Sequence, residues 1–392
     1  MPLISLARLL LGWLSLAILV LAAYLLVSWF RGEAVLDADG VARVVRQDWR
    51  LWTGLVLLAW SFCGRWIVTP LLARPDKDKT RPERSGGQMA PGFDGAALYV
   101  ERHGPADGPV VVLTHGWGLD STIWSYTKRD LSTRFRLISW DLPGLGRSKS
   151  GDRLTLETLA ENLRVVIGLA GGRPVVLVGH SIGGMTIQTL ARDHPELFGR
   201  TVTGVVLVNT THTNPLKTMI LPRLMPALRG PVLEPVMQLA IWLQPLAWAG
   251  AWQGYLSGSA HMANRLGFGR YVTRSQLEHN TLLATRNPPG VLAKGNLAMF
   301  RWDAGAGLAH LKTPTLVLAG DMDIVTKLEA GRRIASAAPN ARFEVVEGVN
   351  HMGFLERSDV YNAAIARFID GLPDTRPVPL GDAGPPVRTS AA

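Results

Sequence analysis

One stretch, RPVVLVGHSIGGMTIQTLARDH from Arg173 to His194, constrains the fold more than any other. Val175 to Val178 form a short apolar run of the kind that makes a strand covered on both faces. The residues after Gly184 read as a helix, so the chain passes from strand to helix through one tight turn. Glycines at 179, 183 and 184 remove side chains from that turn. Such a turn lifts the Ser181 hydroxyl clear of the sheet. It also sets backbone N–H groups beside it at a helix N-terminus, suited to a developing negative oxygen.

The same alternation recurs along the chain. AALYVERHG reads as an early antiparallel strand, followed by the strand runs PVVVLTHG, FRLISWDLPG, RPVVLVGHS, TGVVLVNT, TPTLVLAGDMD and ARFEVVEGVNH. Helical patterns such as Leu156 to Leu169 fill the gaps, which predicts an α/β fold with a mostly parallel sheet flanked by helices. The segment 214–308 is too long for a single crossover and is read as a helical cap or lid. Its run LPRLMPALRGPVLEPVMQLAIWLQPLAWAGAWQGYL places Met225, Met237, Trp242, Trp248 and Trp252 among leucines, with prolines cutting it into short helices. These residues either pack the cap on the core or line an apolar pocket. The core is then 92–213 with 309–370.

The N-terminal region, 1–73, has another character. Leu9 to Phe30 carries no charge, and as a helix it would extend about 33 Å, enough to span a bilayer. It exceeds the usual ~7 to 15 apolar residues of a cleaved signal peptide. Leu51 to Leu72 is of similar length but contains Arg65 and Pro70. Either the arginine snorkels toward one interface, with Trp52, Trp60 and Trp66 in the interfacial belts, or the stretch is a re-entrant or surface-lying helix. Two spans, about 9–30 and 51–72, give a multi-pass anchor in the plasma (inner) membrane with both ends on one side. Basic residues after the second span (Arg74, Lys77, Lys79, Arg81, Arg84) lean the core toward the cytoplasm. Residues 74–91 read as a polar tether, and 371–392, rich in proline, as a disordered tail.

Composition agrees with contact to lipid: 47 % of residues are hydrophobic and 18 % charged. The net charge of +10 fits an anionic membrane surface better than nucleic acid, for which no motif is present. The single cysteine, Cys63, excludes an intramolecular disulfide and a cysteine-built zinc site. No histidine or carboxylate grouping has metal-ligand spacing, so neither metal nor cofactor is expected.

A serine nucleophile needs a base, and the base needs an orienting acid. His351, in EGVNHMGFLE, follows the last predicted strand in a loop and is the leading candidate base. The acid is expected between them: LVLAGDMDIVT supplies Asp321 and Asp323 past a strand end. Asp323 is preferred, because the earlier aspartate more often holds the turn. The other common place for an acid, after VVLVNT, is occupied here by Asn209. In LTHGWGLD, the Trp117 N–H is a candidate oxyanion donor beside that of Ile182, with its indole as pocket wall. His180 and His212 are further pocket candidates. His115 and Asp141 read as loop-holding residues.

Taken in order, HGWG, DLPGLGRS, GHSIGG, GDMDIV and NHMGFLE resemble the α/β-hydrolase superfamily over roughly Gly92 to Asp370. The resemblance implies a triad of Ser181, Asp323 and His351, with oxyanion donors Trp117 and Ile182. With the N-terminal segment, it leads to the expectation of a membrane-anchored serine hydrolase, esterase- or lipase-like. Its partners would be a lipophilic carboxylic ester and membrane lipid. HGW and GHSIGG are also similar to perhydrolases (cofactor-free haloperoxidases). Thioesterase or amidase chemistry on the same triad, and a non-catalytic sensor of hydrophobic ligands, remain alternatives.

Overall fold

The computed structural model describes residues 2–36 and 38–373. The expectation for the tail therefore falls, from 374 onward, outside the described residues. The strands are β1 (Glu33–Leu36), β2 (Ala42–Val45), β3 (Gln88–Pro91), β4 (Ala97–His103), β5 (Val110–Thr114), β6 (Arg136–Trp140), β7 (Val175–His180), β8 (Val202–Val208), β9 (Thr315–Gly320) and β10 (Ala341–Val346). The helices of the N-terminal region and core's first half are α1 (Pro2–Arg31), α2 (Asp48–Leu72), α3 (Ser125–Leu131), α4 (Leu156–Gly168) and α5 (Ile182–Asp193). The insertion between β8 and β9 forms α6 (Leu224–Ala227), α7 (Glu234–Trp242), α8 (Gln244–Ser257), α9 (Ser259–Arg265), α10 (Arg274–Arg286) and α11 (Pro289–Met299). Last come α12 (Leu328–Ala337), α13 (Gly353–Glu356) and α14 (Ser358–Asp370).

The main sheet has the order β10-β9-β8-β7-β5-β6-β4-β3. The pairs β3–β4 and β4–β6 are antiparallel and the remainder parallel. Alternate residues enter opposite faces, as the two-residue period of a strand demands. Val110, Val112, Val175 and Leu177 pack with Leu159, Leu163 and Ile187 of α4 and α5. Val111, Leu113, Val176 and Val178 pack instead with Trp124, Leu131, Tyr361 and Ile365 on the α3 and α14 side. Strand order reverses around β5, so the C-terminal ends of β5 and β7 open onto a crevice between diverging connections.

The N-terminal helices are both long and apolar enough to cross a membrane. They also grip the insertion. A Cβ on Gly12 would lie 2.7 Å from the Gly250 carbonyl oxygen, and one on Gly64 would lie 2.3 Å from that of Ser257. Ser15 and Ser259 share a hydrogen bond of 2.8 Å across the same seam. Helices approach this closely only where both present small residues. Arg65 finds partners on the insertion: its Nη1 donates to Tyr255 Oη (2.5 Å) and Glu278 Oε1 (2.9 Å). A carboxylate on α10 thus meets a charge that would be costly in an apolar helix.

Two further differences from the sequence reading concern polar segments. The linker between the N-terminal helices contains the antiparallel pair β1–β2. The sheet also begins at Gln88, inside the stretch read as tether. That stretch is strapped to the insertion and to the core: Asp76 Oδ1 accepts from Ser275 Oγ of α10 (2.6 Å), and Arg84 bridges Asp120 (2.6 Å) and Asp141 (2.9 Å). Its charges face counter-charges on the core that composition cannot locate.

Filling the seam is expected to destabilise it. Gly64→Val should cost about 1–3 kcal/mol as overpacking and lower the melting temperature of the full chain in detergent micelles. Gly230→Ala, at a glycine with open space around it, should leave that temperature unchanged.

Candidate active site

Ser181 sits between β7 and α5 with φ +53° and ψ −118°, in the left-handed half of backbone space that non-glycine residues seldom occupy. Close packing holds it there. A Cβ on Gly183 would lie 2.3 Å from the Thr114 carbonyl oxygen, and one on Gly179 would lie 2.5 Å from the Gly183 carbonyl carbon. The Ser181 N–H donates to Val208 O (3.0 Å), and its carbonyl accepts from Thr210 Oγ1 (2.6 Å). The side chain is nearly buried at the sheet's C-terminal edge.

Asp323 and His351 lie at the ends of β9 and β10, both fully buried, with His351 Nδ1 2.9 Å from Asp323 Oδ2. Nδ1 donates this bond. The carboxylate is densely supplied with donors: Val325 N and Thr326 N reach Oδ1 (2.8 Å each), while Thr326 Oγ1 (2.8 Å) and Asn209 Nδ2 (3.0 Å) reach Oδ2. Burial works to raise its pKa, but His351 and these donors outweigh it and hold the carboxyl below its ordinary value. The far nitrogen of the imidazole, His351 Nε2, is buried and has no hydrogen-bond partner among the described residues.

Around this pair lie residues the sequence reading missed or valued only negatively. Asn209, at φ +44°, accepts from Tyr361 Oη (2.8 Å) while donating to Asp323. Asn350 Oδ1 accepts the N–H groups of His351 (2.8 Å) and Ile324 (3.0 Å), tying the two loops together. The available signal was position: each asparagine directly follows a strand or precedes the histidine. Asp321 accepts from Gly348 N (2.7 Å) and holds its turn.

The other singled-out residues divide. His180 Nε2 donates to the His351 carbonyl (3.0 Å), and the two rings lie 4.9 Å apart, so the loop carrying His351 is tied to the residue beside Ser181. Ile182 opens α5, and its N–H has no acceptor one turn back within the helix. The Trp117 indole donates to Leu292 O on α11 (3.0 Å) and lies so close to Gly295 that a Cβ there would fall 2.0 Å from its Cζ2. It thereby joins the β5 loop to the insertion and walls a cavity there. His115 donates from Nδ1 to Gly116 O (2.8 Å) and accepts at Nε2 from Leu142 N (2.9 Å). Asp141 accepts from Ser121 N (2.7 Å) and Arg147 N (2.8 Å). His212 is not brought to this group: it lines a separate groove with Lys217, Thr218 and Lys327. The β8 loop turns it toward Ala304 and Gly305 instead.

A family model described as alpha/beta hydrolase fold matches residues 109–358. The pimeloyl-[acyl-carrier protein] methyl ester esterase of Chromobacterium violaceum is 28 % identical over 275 residues, which is 70 % of this chain and 98 % of that protein. Two solved structures superpose on 73 % of this chain and 100 % of their own. They are an esterase from Exiguobacterium antarcticum (TM-score 0.59, 19 % identity) and a bromoperoxidase from Bacillus anthracis (TM-score 0.59, 21 % identity). At that identity the likeness is one of fold. The N-terminal helices lie outside the matched family segment.

The buried imidazoles make stability depend on pH. Burial lowers the pKa of His115, lowers that of His180 well below its ordinary value, and brings that of His279 to about 4. Below pH 6.5 the unfolded chain therefore binds protons that the folded chain resists, and stability falls with pH. Each such histidine contributes at most about 1.4 kcal/mol per pH unit. His194, raised by its hydrogen bond to Glu161, works in the opposite sense from the surface. The urea midpoint should drop from pH 7 to pH 5, and His279→Gln should make the drop shallower.

Proposed function

The chain belongs to the α/β-hydrolase fold family, and from that premise we propose that it is a membrane-anchored serine hydrolase cleaving carboxylic esters of lipophilic substrates. The observation that carries this reading is the buried Asp323–His351 pair, whose free Nε2 accompanies a strained serine at the strand-to-helix turn. His351 Nε2 takes the hydroxyl proton as Ser181 Oγ attacks the ester carbonyl. Asp323 stays ionised and stabilises the imidazolium through Nδ1–H. The Trp117 and Ile182 N–H groups receive the oxyanion, a contribution of about 100- to 1000-fold in turnover per donor in comparable sites. Collapse breaks the ester C–O bond, and the departing alkoxide takes the proton from Nε2. Water, deprotonated by the same nitrogen, then attacks the acyl-enzyme, releasing the acid and restoring the serine.

Ester cleavage is also the activity named for the Chromobacterium relative. The lipophilic class is supported by exposed apolar side chains: Trp52, Val56 and Trp66 of α2, and Leu239 and Trp242 of α7, are large hydrophobic residues left exposed. Trp242 is 83 % exposed, which a water-facing helix does not favour and an interfacial one does. The domains follow: an anchor over 1–73, a core over 92–213 and 309–370, and a cap over 214–308. The basic residues after α2 lean the core toward the cytoplasmic side.

In detergent-solubilised full chain, Ser181→Ala should lower kcat on p-nitrophenyl esters by at least about 1000-fold and abolish labelling by a fluorophosphonate probe, with the circular dichroism unchanged. Retained activity would overturn the mechanism. Absence of labelling in the folded native chain would favour a non-catalytic ligand sensor. Asp323→Asn should cost about 10,000-fold in kcat, since the amide no longer stabilises the imidazolium. Turnover of thioester, amide and peracid-forming substrates beside esters of increasing chain length separates the remaining chemistries that the same triad supports.

A further inference from the structure

The first turns of α1 do more than begin an anchor. Two adjoining cavities lie between α1, the insertion and the Trp117 loop, and both are lined by Ser5, Arg8, Ala284 and Leu292. One reaches Trp117, Gly118 and Met352, the neighbour of His351; the other runs among alanines of α7, α8 and α11. The free space is about 30 Å³ in the first and about 60 Å³ in the second. That is room for a few water-sized groups each, which suits a carboxylate and its neighbouring methylenes.

Arg8 is the one charged residue lining either cavity among the described residues. Its Nη2 donates to Ala284 O in the last turn of α10 (2.5 Å), a carbonyl end that favours a cation. One carbonyl satisfies one of five N–H donors. Nε is buried without a partner, and no carboxylate among the described residues pairs with the guanidinium. The surroundings add donors with weak partners: Asn296 Nδ2 has Ser5 Oγ at 3.5 Å and Met237 Sδ at 3.8 Å, and Asn280 Nδ2 has only Met352 Sδ at 3.8 Å. A buried guanidinium in apolar surroundings is costly unless an anion meets it, and its planar fork matches carboxylate and phosphate oxygens.

We propose that Arg8 is a substrate-binding residue. The preferred ester carries a second, anionic group, a carboxylate or phosphate monoester, seated between α1 and the insertion against Arg8, Asn280 and Asn296. The inference rests on the serine-hydrolase reading above and deepens it by naming the substrate class. It also gives α1 a part in recognition.

The test uses the full chain in detergent micelles. Wild type and Arg8→Met are compared on mono-p-nitrophenyl esters of adipic and suberic acid, on their neutral methyl-capped counterparts, and on phosphate-ended esters of the same length. Wild type should prefer an anion-ended ester over its neutral counterpart by at least about tenfold in kcat/KM, the margin of one charge-assisted pair. Arg8→Met should erase that ratio mainly through KM, and Arg8→Lys should restore part of it. The favoured anion identifies the headgroup. An equal ratio in wild type, or one unmoved by Arg8→Met, overturns the proposal. Should Arg8→Met fail to fold, inhibition of wild-type hydrolysis of a neutral ester by octanoate and octyl phosphate, against octanol, decides instead: octanol inhibiting as well as both anions overturns it. Activity surviving Ser181→Ala would sink the underlying hydrolase reading, whereas Ser181-dependent activity without anion selectivity sinks only this one.

Discussion

The contact between the Gly183 Cα and the Thr114 carbonyl is the constraint on which the rest of the site depends. It brings the start of α5 against the end of β5 at a distance that leaves no room for a Cβ. Three consequences follow from that closeness. Ser181 is held at φ +53°, the first N–H of α5 lies at the sheet edge without an acceptor inside its own helix, and the loop from His115 to Gly118 starts beside it. The proposed nucleophile and both proposed oxyanion donors are thus set by one backbone approach. A strained turn of this sort persists only when its surroundings over-determine it. Here Val208, Thr210 and Gly179 do so.

The second requirement is that each buried charge find partners. Asp323 is fully buried and keeps its ionised form favoured because five donor atoms on Asn209, Val325, Thr326 and His351 converge on it. Asn209 is itself oriented by Tyr361 from α14, a helix at the far end of the chain. The same logic governs α2 and the segment that follows it. Arg65 is met by Glu278 and Tyr255, and Arg84 by Asp120 and Asp141. The apolar hairpin is therefore built into the insertion through a glycine and serine seam closed by a partly buried ion pair. A displacement of α1 would be felt at the cavity beside Trp117, which Ile4, Ser5 and Arg8 line.

Much of the fold was legible in the sequence. The six apolar runs from PVVVLTHG to ARFEVVEGVNH are strands, and the long gap before TPTLVLAG is a helical insertion. Ser181, Asp323 and His351 stood out because each lies just past a strand end, where an open parallel sheet gathers side chains. The preference for Asp323 over Asp321 rested on local turn chemistry, and Asp321 does bond the Gly348 N–H. Less legible was anything whose partner is distant. The segment 74–91 looked like a tether because its charges are invisible as pairs until Asp120, Asp141 and Ser275 are folded against them. His212 was expected near the pocket from its place after β8, but the turn at Thr211 to Thr213 carries it into another groove.

By itself the sequence determined the strand and helix pattern, the sharp turn at Ser181 and two span-length apolar helices. These follow from local rules: a period of two or of 3.6, glycines at fixed offsets, and unbroken apolar length. Only the tertiary structure decided which polar groups meet. Asn209 supports the acid, Arg65 belongs to the insertion, and Arg8 is carried 276 positions to the carbonyl of Ala284 and left with unused donors in a cavity. The physical reason is that a charge shows its sign in the sequence. Its dielectric surroundings and its partners exist only once the chain has closed on itself.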